Sequence, residues 1–311
     1  MERHGKIAII GAGYVGASIC YALMLKTLAQ EIVLIDINEQ KSQGEALDIV
    51  HGIPYMGNSR VYAGTYKDCQ DCDVIIITAG RNRRPGQLRT DLVEENTVIL
   101  HQISMEIKKY YNGGVILVVS NPVDIMTYKM TQWMELPEGM VFGTGCILDM
   151  SRLVRQIAEY VKLSIDNIQA TIVGEHGARQ CPIWSRVTVA NIPIDEYCKT
   201  FGIEWNDLIK EEILAKVQAM GAEIIKRKER THYGIATCVA YLVDAIVNDR
   251  KIVASVSSVL NGEYGIFDVA LSVPSVIGAK GVEKHLMEKW NQNEIDFMIN
   301  CSQQMKEFIS I

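Results

Sequence analysis

The chain has 311 residues, of which 48% are hydrophobic and 22% are charged, and its formal net charge is -6. This composition supplies ample apolar side chains for a buried core and excludes an intrinsically disordered chain. The negative charge and the scattered lysines and arginines exclude the basic surface that nucleic-acid binding needs. The length favours two domains of ordinary size.

Four short apolar runs in the first half have the composition of strands that are buried on both faces. They are rich in β-branched residues and nearly continuous, as in a parallel sheet. The runs are Lys6–Ile10, Glu31–Ile35, Val74–Thr78 and Val115–Val119. Segments of helical period lie between them, at 16–26 and 90–110. Strands that alternate with helices predict repeated βαβ units.

The second half of the chain, from about Gly145, has a different pattern. Segments of helical period alternate here with a hairpin-like region, in which two apolar runs flank a glycine-containing turn. The helical segments are 149–160, 204–230 and 233–248, and the hairpin runs 252–260 and 266–273 flank the turn 261–265. We expect an α+β domain over residues 146–311 that packs closely on the first.

Targeting and redox signals are weak along the chain. The first apolar run is too short for a signal peptide, and no segment reaches the roughly 18 apolar residues of a spanning helix. We therefore expect a cytoplasmic protein with no membrane partner. Eight cysteines include one Cys-x-x-Cys pair, Cys69 and Cys72. Nothing in the sequence completes a zinc site around them, so we interpret the cysteines as small apolar residues and expect no metal.

A Gly-x-Gly-x-x-Gly motif follows the first predicted strand and opens a helix, the context in which it indicates dinucleotide binding. Gly11 permits the tight turn, Gly13 lets the backbone approach a pyrophosphate, and Gly16 allows the helix to pack closely on the strand. Together with the βαβ pattern, the motif predicts a Rossmann-type doubly wound parallel sheet over residues 1–145. A glycine-rich turn without a ligand is the alternative.

Asp36 ends the second predicted strand, about 20 residues beyond Gly16, as expected for the acidic residue that binds ribose hydroxyls. A carboxylate at this position repels a 2′-phosphate, which predicts NAD rather than NADP as the cofactor. A helix-capping aspartate is the alternative.

Four further segments resemble the L-lactate and malate dehydrogenase family, in the order and spacing of that family. They are 85–89, Ser120–Asp124, Leu148–Arg152 and Gly174–Gly177, and Leu271–Pro274 after the hairpin is similar too. The resemblance covers nearly the whole chain. It implies an α/β enzyme that transfers a hydride between NAD and a small 2-hydroxy or 2-oxo acid.

The resemblance implies that His176 is the acid that protonates the substrate carbonyl oxygen, a task for which a histidine is suited near neutral pH. It also implies that Asp149 holds the far ring nitrogen and stabilises the imidazolium. For His176 taken alone, a core histidine bound by backbone groups is the alternative.

Further site residues follow from the same resemblance. Arg152 lies three residues after Asp149, so both side chains emerge on one helix face, and its planar fork matches a substrate carboxylate. An ion pair between the two is the alternative. Arg89 resembles a loop arginine that stabilises charge on the carbonyl oxygen. Asn121, before an expected cis proline, resembles the residue that binds substrate and nicotinamide, and Gly80 is predicted to bind the cofactor.

The sequence signals for the substrate conflict with one another. Glu175 and Thr231 resemble the lactate type, in which the threonine bounds a small side-chain pocket. Arg83 lies where the malate type has arginine and the lactate type usually has glutamine. It either binds a second substrate carboxylate or points to solvent. We expect lactate and pyruvate, with a malate or another L-2-hydroxyacid dehydrogenase as the alternative.

Two pairs of positions depart from the family pattern. Ala178 and Arg179 follow the His-Gly pair where the family usually has aspartate and a small hydroxyl residue, so we expect a different pocket wall. Val154 and Gln169 lie where bacterial relatives activated by fructose 1,6-bisphosphate bind the phosphate. Neither carries the charge that a phosphate needs, so we expect no such site.

A non-catalytic NAD-binding redox sensor is the remaining alternative. A sensor needs the glycine motif and Asp36, but it has no use for Asp149, Arg152 and His176 together, so their joint presence favours an enzyme. The family also implies a homo-oligomer, with dimers assembled into tetramers.

Overall fold

The computed structural model describes residues 5–55, 58–81 and 89–309, and Arg89 through its backbone alone. The elements of the first half are β1 (Lys6–Ile10), α1 (Tyr14–Leu25), β2 (Glu31–Ile35), α2 (Glu39–Val50), β3 (Arg60–Ala63), β4 (Val74–Ile77), α3 (Arg89–Lys108), β5 (Val115–Val118), α4 (Val123–Met134) and β6 (Val141–Gly143). The four predicted strands are therefore present, and the predicted helical segments correspond to α1 and α3.

The strands of the first half pair in the order β3-β2-β1-β4-β5-β6, all in parallel. Ile7 of β1 faces Ile32 of β2 on one side and Val74 of β4 on the other. This is the order of a doubly wound sheet, which binds ligands at the carboxyl ends of the strands where the order reverses. The prediction of a Rossmann-type sheet is confirmed.

Alternate residues of β1 enter two separate apolar layers, as a strand buried on both faces requires. Ile7 and Ile9 belong to the layer that includes residues of α1 and of a later helix, α8 (Tyr233–Val247), whereas Ala8 and Ile10 belong to the layer that includes residues of α3 and α4. The strand is thus held from both sides, which fixes the position of the turn that follows it.

The second half contains a longer series of elements. They are α5 (Ile147–Val161), β7 (Ile168–Gln169), β8 (Ile172–Gly174), β9 (Gln180–Pro182), β10 (Thr188–Val189), β11 (Ile192–Pro193), α6 (Ile194–Phe201), α7 (Asp207–Lys228), α8 (Tyr233–Val247), β12 (Ile252–Asn261), β13 (Phe267–Gly278), β14 (Gly281–His285) and α9 (Gln292–Ile309). The predicted helices correspond to α5, α7 and α8, and the predicted hairpin to β12 and β13. The α+β character expected of this half is confirmed.

One sheet runs through both halves of the molecule. Beyond β6 it continues as β12-β13-β8-β9, with β14 also on β13, which makes eleven strands within the described residues. The junction is antiparallel, since Gly143 of β6 pairs with Ser257 of β12. Directly after β6, the backbone N–H of Cys146 donates to Ser272 Oγ on β13 at 3.0 Å. The second half is therefore attached to the first by backbone pairing.

The cysteines are buried thiols or partly buried thiols. The eight cysteines all lie within the described residues, and they form no disulfide bond there. Burial raises the pKa of the Cys69 thiol to about 12 and raises that of Cys72 further, so neither is a thiolate near neutral pH. Among the described residues, no helix has the length and apolar character needed to cross a membrane.

Candidate active site

The glycine motif forms the turn between β1 and α1. Gly11 adopts a φ of +106°, which favours glycine, and a Cβ on Gly16 would lie 1.9 Å from the carbonyl oxygen of Gly11. By contrast, no atom of the described residues lies within 4 Å of the position that a Cβ on Gly13 would occupy. The turn is closed against the helix at Gly16 and open to a ligand at Gly13.

Asp36 lies at the carboxyl end of β2, beside this turn. Its Oδ2 accepts a hydrogen bond from the N–H of Ala12 at 2.7 Å, and its Oδ1 accepts one from the N–H of Asn38 at 2.9 Å. The first N–H groups of a helix have no acceptor inside the helix, and no side chain in the described part of the chain caps α1. Free N–H groups for a pyrophosphate and a carboxylate for ribose hydroxyls suit the binding of NAD.

A cavity of about 390 Å³ adjoins the turn and is lined by residues from both halves of the chain. Val15 of α1 and Thr78, whose Oγ1 donates to the carbonyl oxygen of Gly11 at 2.8 Å, connect it to the glycine turn. Six residues singled out from the sequence line it, namely Gly80, Asn121, Asp149, Arg152, His176 and Thr231. Residues predicted to bind the cofactor and residues predicted for acid-base chemistry therefore line one cavity beside the glycine turn.

Asp149 lines this cavity and is almost completely buried, with 2% of its side chain exposed. Its Oδ2 lies 2.5 Å from His176 Nδ1, and its Oδ1 accepts a hydrogen bond from Arg152 Nη1 at 3.0 Å. The expected contact between His176 and Asp149 is present, and so is the alternative ion pair for Arg152. Because Nδ1 is held by the carboxylate, Nε2 is the ring nitrogen available to a ligand.

The surroundings of His176 change its proton affinity. Burial alone lowers the pKa of the imidazole, but the charge and hydrogen bond of Asp149, with a further contribution from the Asp124 carboxylate, outweigh that effect. Arg152 acts in the opposite sense. The net result is a pKa above the ordinary value of 6.5, so His176 keeps its proton at a higher pH than a solvent-exposed histidine does.

The turn that carries His176 joins β8 to β9. Gly174 and Gly177, which flank the histidine at φ of +94° and +121°, allow the backbone to reverse there. The N–H of His176 donates to Asp124 Oδ2 at 2.8 Å, and Asp124 is 1% exposed on α4. Asp124 was not assigned a role from the sequence, although it closes the Ser-Asn-Pro-Val-Asp segment that carries the resemblance.

A second unanticipated residue, Asn96 on α3, links two loops of the site. Its Nδ2 donates to the carbonyl oxygen of Asn121 at 2.7 Å, and its Oδ1 accepts from the N–H of Arg81 at 2.7 Å. Asn96 is fully buried, and no sequence motif marks it. The Asn121–Pro122 peptide bond is cis, as expected. Asn96 therefore connects the loop after β4 with the loop that carries Asn121.

Gln180 was also not assigned a role from the sequence. It lines the cavity, is 2% exposed, and its Oε1 has no hydrogen-bond partner within the described part of the chain. A buried polar atom without a protein partner suits a site that receives a polar ligand.

Two of the arginine side chains named from the sequence lie outside the described part of the structure. Arg83 lies outside the described residues, and Arg89 begins α3 but its side chain also lies outside them. Arg81, the first arginine of the same loop, places its Nε 3.6 Å from Glu95 Oε2 on α3. Arg81 thus has an acidic partner on α3, the helix that follows the loop. The roles of Arg83 and Arg89 stay predictions.

Both halves of the chain match models of one protein family. The family model described as lactate/malate dehydrogenase, NAD binding domain, matches residues 5–143, and the lactate/malate dehydrogenase alpha/beta C-terminal domain matches residues 146–310. The chain belongs to the lactate/malate dehydrogenase family. As a member of this family it is an NAD-dependent oxidoreductase, and the NAD-binding domain contains the glycine turn and Asp36.

Individual relatives are similar over almost their full length. The chain is 41% identical to an L-lactate dehydrogenase of Acetivibrio thermocellus over 98% of this chain and 96% of that protein. Its structure matches that of the minor L-lactate dehydrogenase from Enterococcus mundtii with a TM-score of 0.94 and 39% identity, covering 98% and 97% of the two chains. A lactate dehydrogenase from a Medee basin deep-sea metagenome library gives a TM-score of 0.94 at 33% identity, with 99% of each chain covered.

The glycine turn generates the first testable prediction. We expect Gly16→Ala to weaken NADH binding by at least about tenfold, because the added Cβ displaces the Gly11 carbonyl and with it the turn that receives the pyrophosphate. NADH fluorescence titration measures the dissociation constant. The matched control is Gly44→Ala on α2, where a Cβ meets no atom within 4 Å. Equal NADH affinity of the two variants would contradict the assignment of Gly16.

Proposed function

We propose that the chain is an L-lactate dehydrogenase that interconverts pyruvate and L-lactate. The observation that carries this proposal is the buried Asp149 carboxylate, which contacts both His176 and Arg152 at a cavity that adjoins the glycine turn. Such an arrangement provides a proton donor and a carboxylate-binding cation side by side. The L-lactate dehydrogenases among the similar proteins support the same function.

Arg152 has the chemistry needed to orient the substrate. Its side chain is 14% exposed and lines the cavity, and Gly221, on which an added Cβ would lie 3.9 Å from Nη2, leaves room beside the guanidinium. We expect the substrate carboxylate to bind this planar fork in two parallel hydrogen bonds. The ion pair with Asp149 then holds the guanidinium in place rather than competing with the substrate.

His176 supplies the proton for the carbonyl oxygen of pyruvate from Nε2. Bound NADH supplies the hydride that adds to the carbonyl carbon. As the oxygen takes the proton, the imidazole becomes neutral, and Asp149 stabilises the charged form before transfer and keeps the ring oriented throughout. In the reverse direction, neutral His176 takes the hydroxyl proton of lactate. The ring regains or releases its proton through solvent between turnovers.

The remaining predicted residues complete the proposal. Asn121 and Gly80 line the cavity and would hold the nicotinamide, and Thr231, also in the lining, would bound the pocket for the substrate methyl group. Arg89 would stabilise charge on the carbonyl oxygen. Asp36 binds the adenosine ribose. We place the boundary between the NAD-binding domain, 1–145, and the substrate-binding domain, 146–311, directly after β6.

A malate dehydrogenase is the second candidate, and Arg83 is the residue that favours it. Thr231 and Glu175 support lactate instead. Glu175 is 1% exposed and pairs with Arg179 at 3.0 Å, so it contributes to the turn that carries His176 rather than to the substrate pocket itself. Thr231, by contrast, lines the cavity, and on this ground we keep pyruvate as the preferred oxo acid.

The acid-base assignment generates the second prediction. We expect His176→Ala to retain NADH affinity but to lose turnover by about 10²- to 10⁴-fold, because it removes the proton donor. His51→Ala, at an exposed histidine after α2, serves as the matched control. Steady-state kinetics and NADH titration on both variants provide the measurement. Near-normal turnover of His176→Ala would remove this residue from the mechanism.

The second prediction extends to pH, because the raised pKa of His176 fixes the sign of the pH dependence. Pyruvate reduction requires the protonated ring, so kcat/KM for pyruvate is maintained above pH 6.5 and is lost as the pH rises through the raised pKa. In Asp149→Asn the carboxylate that raises the pKa is absent, and we expect this loss of activity to move to lower pH. A pH profile at saturating NADH measures the shift. An unchanged profile would contradict the role of Asp149.

The choice between oxo acids generates the third prediction. We expect the wild type to prefer pyruvate over oxaloacetate in kcat/KM. If Arg83 instead enters the pocket, pyruvate leaves its charge without a partner, and oxaloacetate is favoured by orders of magnitude, since each ~1.4 kcal/mol is tenfold. Both oxo acids are compared in the wild type and in Arg83→Gln. A wild-type preference for oxaloacetate that reverses in the variant would reject the lactate assignment in favour of malate.

We further propose that the protein is a cytoplasmic homo-oligomer, a dimer or tetramer. Three helices in contact, α1, α2 and α8, each expose large apolar side chains, which favours burial against another subunit. These residues are Tyr21, Leu25, Leu47 and Tyr241.

The fourth prediction tests this surface. We expect Leu47→Glu to shift the assembly toward the 34.8 kDa monomer, because it places a charge at the centre of the proposed contact. Light scattering after size-exclusion chromatography measures the mass. Leu47 is 60% exposed, and Phe201→Glu, at a residue 59% exposed on α6, is the matched control. A monomeric wild type would reject the proposal.

A further inference from the structure

The turn that carries His176 is attached to the C-terminal helix through a residue that departs from the family pattern. Arg179 lies across the turn from Glu175, whose N–H donates to the Arg179 carbonyl oxygen at 3.0 Å. Arg179 Nη1 donates to Glu175 Oε2 at 3.0 Å, and its Nε donates to Gln304 Oε1 on α9. The guanidinium also lies 5.5 Å from the centre of the Phe308 ring.

The positive charge of Arg179 neutralises the carboxylate of Glu175. The Glu175 side chain is 1% exposed, whereas that of Arg179 is 29% exposed. Removing the cation from a buried ion pair is strongly destabilising, because a carboxylate that has left water then loses charge compensation. Glu175 is the residue directly before His176, so any rearrangement that relieves its charge moves the histidine.

Helix α9 is a firm support for this contact. Near its start, Glu294 is 5% exposed and accepts hydrogen bonds from the N–H of Ser185 at 3.0 Å and from the N–H of Asn291 at 2.9 Å. Ser185 follows β9, the strand that begins at Gln180. Near the end of α9, Gln304 and Phe308 contact Arg179. The helix thus binds the segment after His176 at both of its ends.

We propose that Arg179 is a positioning residue, which neutralises Glu175 and fastens the turn to α9 so that His176 stays in contact with Asp149. Arg179 does not line the cavity and touches no predicted substrate-binding residue within the described part of the chain. It acts through Glu175 and the backbone of the turn. The inference rests on the proposed role of His176 as the proton donor.

The groups around His176 determine what a loosened turn does. Asp149 and Arg152 face it from α5, and Asp124 faces it from α4 and holds its backbone N–H. When the turn shifts, the short contact with Asp149 lengthens, and this carboxylate no longer compensates for burial of the ring. The pKa of His176 then falls, and the proton donor is misplaced relative to the substrate.

The test compares Arg179→Met with Arg179→Lys and with the control Arg155→Met, which removes an exposed arginine paired with Glu159 on α5. We expect Arg179→Met to lower kcat for pyruvate reduction by about 10- to 100-fold, as a displaced catalytic group does, with an unchanged dissociation constant for NADH. The fall of kcat/KM with rising pH moves to lower pH. Arg179→Lys keeps the charge and recovers most of the turnover, while Arg155→Met stays within about twofold of wild type.

A second variant identifies the route of the effect. If Arg179 acts through the buried charge of Glu175, the double variant Glu175→Gln and Arg179→Met is no slower than Arg179→Met alone, because the neutral side chain needs no cation. Independent losses that multiply would overturn this part of the inference. Should Arg179→Met fail to fold, Arg179→Lys with and without Glu175→Gln provides the same comparison.

A readout without turnover separates this inference from the proposed function. NMR titration of the His176 ring, assigned with His176→Ala, gives its pKa in each variant without substrate. A wild type that reduces neither pyruvate nor oxaloacetate would reject the proposed function, and the titration would still test the positioning role. A wild type that reduces pyruvate, with kcat and His176 pKa unchanged in Arg179→Met, would reject the positioning role alone.

Discussion

The geometry of the site depends on one buried carboxylate, that of Asp149. Its two oxygens are divided between two cationic groups, the imidazole of His176 and the guanidinium of Arg152. A carboxylate at 2% exposure is stable only with such partners, and the same contacts fix the direction of both side chains. Arg152 comes from the same helix, but His176 comes from a turn between two strands. The site therefore requires α5 and β8 to keep a constant separation.

Carboxylates have a further common role in this molecule, which is to hold backbone N–H groups at the edges of the site. Asp36 receives the N–H of Ala12, Asp124 receives that of His176, and Glu294 receives that of Ser185. Each anchors a turn or a short 3-10 segment, where few backbone groups have a partner in an α-helix or a sheet. Part of the excess of acidic residues is thus structural, and the net charge alone says little about binding.

Local signals accounted for the parts of the protein in which neighbours in sequence are neighbours in space. The β1 turn and α1 are contiguous, so the glycine spacing and Asp36 were sufficient to predict that region, and the β12–β13 hairpin was predicted from its turn. The contact between His176 and Asp149 was expected only through the family resemblance, because no periodicity connects a turn with a helix so far away. Their catalytic roles stay predictions.

Other features had no signal that a single sequence offers. Asn96 looks like an ordinary polar helix residue, yet it is buried because two loops converge on it. The pairing of β6 with β12 involves one residue pair, Gly143 and Ser257, which no hydrophobic pattern marks. Arg179 was visible as a departure from the family, but its partners on α9 depend on tertiary packing.

The continuity of the sheet also bears on the order in which the molecule is built. The six parallel strands pair with one another within the first 143 residues, although β6 also pairs with β12 and the apolar layer beside β1 includes residues of α8. Strand β8, which leads into the His176 turn, pairs with β13 and β9, and closing the loop from Gly174 to Ser272 is slow because its ends are far apart in sequence. The backbone pairing of the six parallel strands thus needs less of a nascent chain than the pairing of β8 does. The acid-base machinery is assembled only after the C-terminal third has been synthesised.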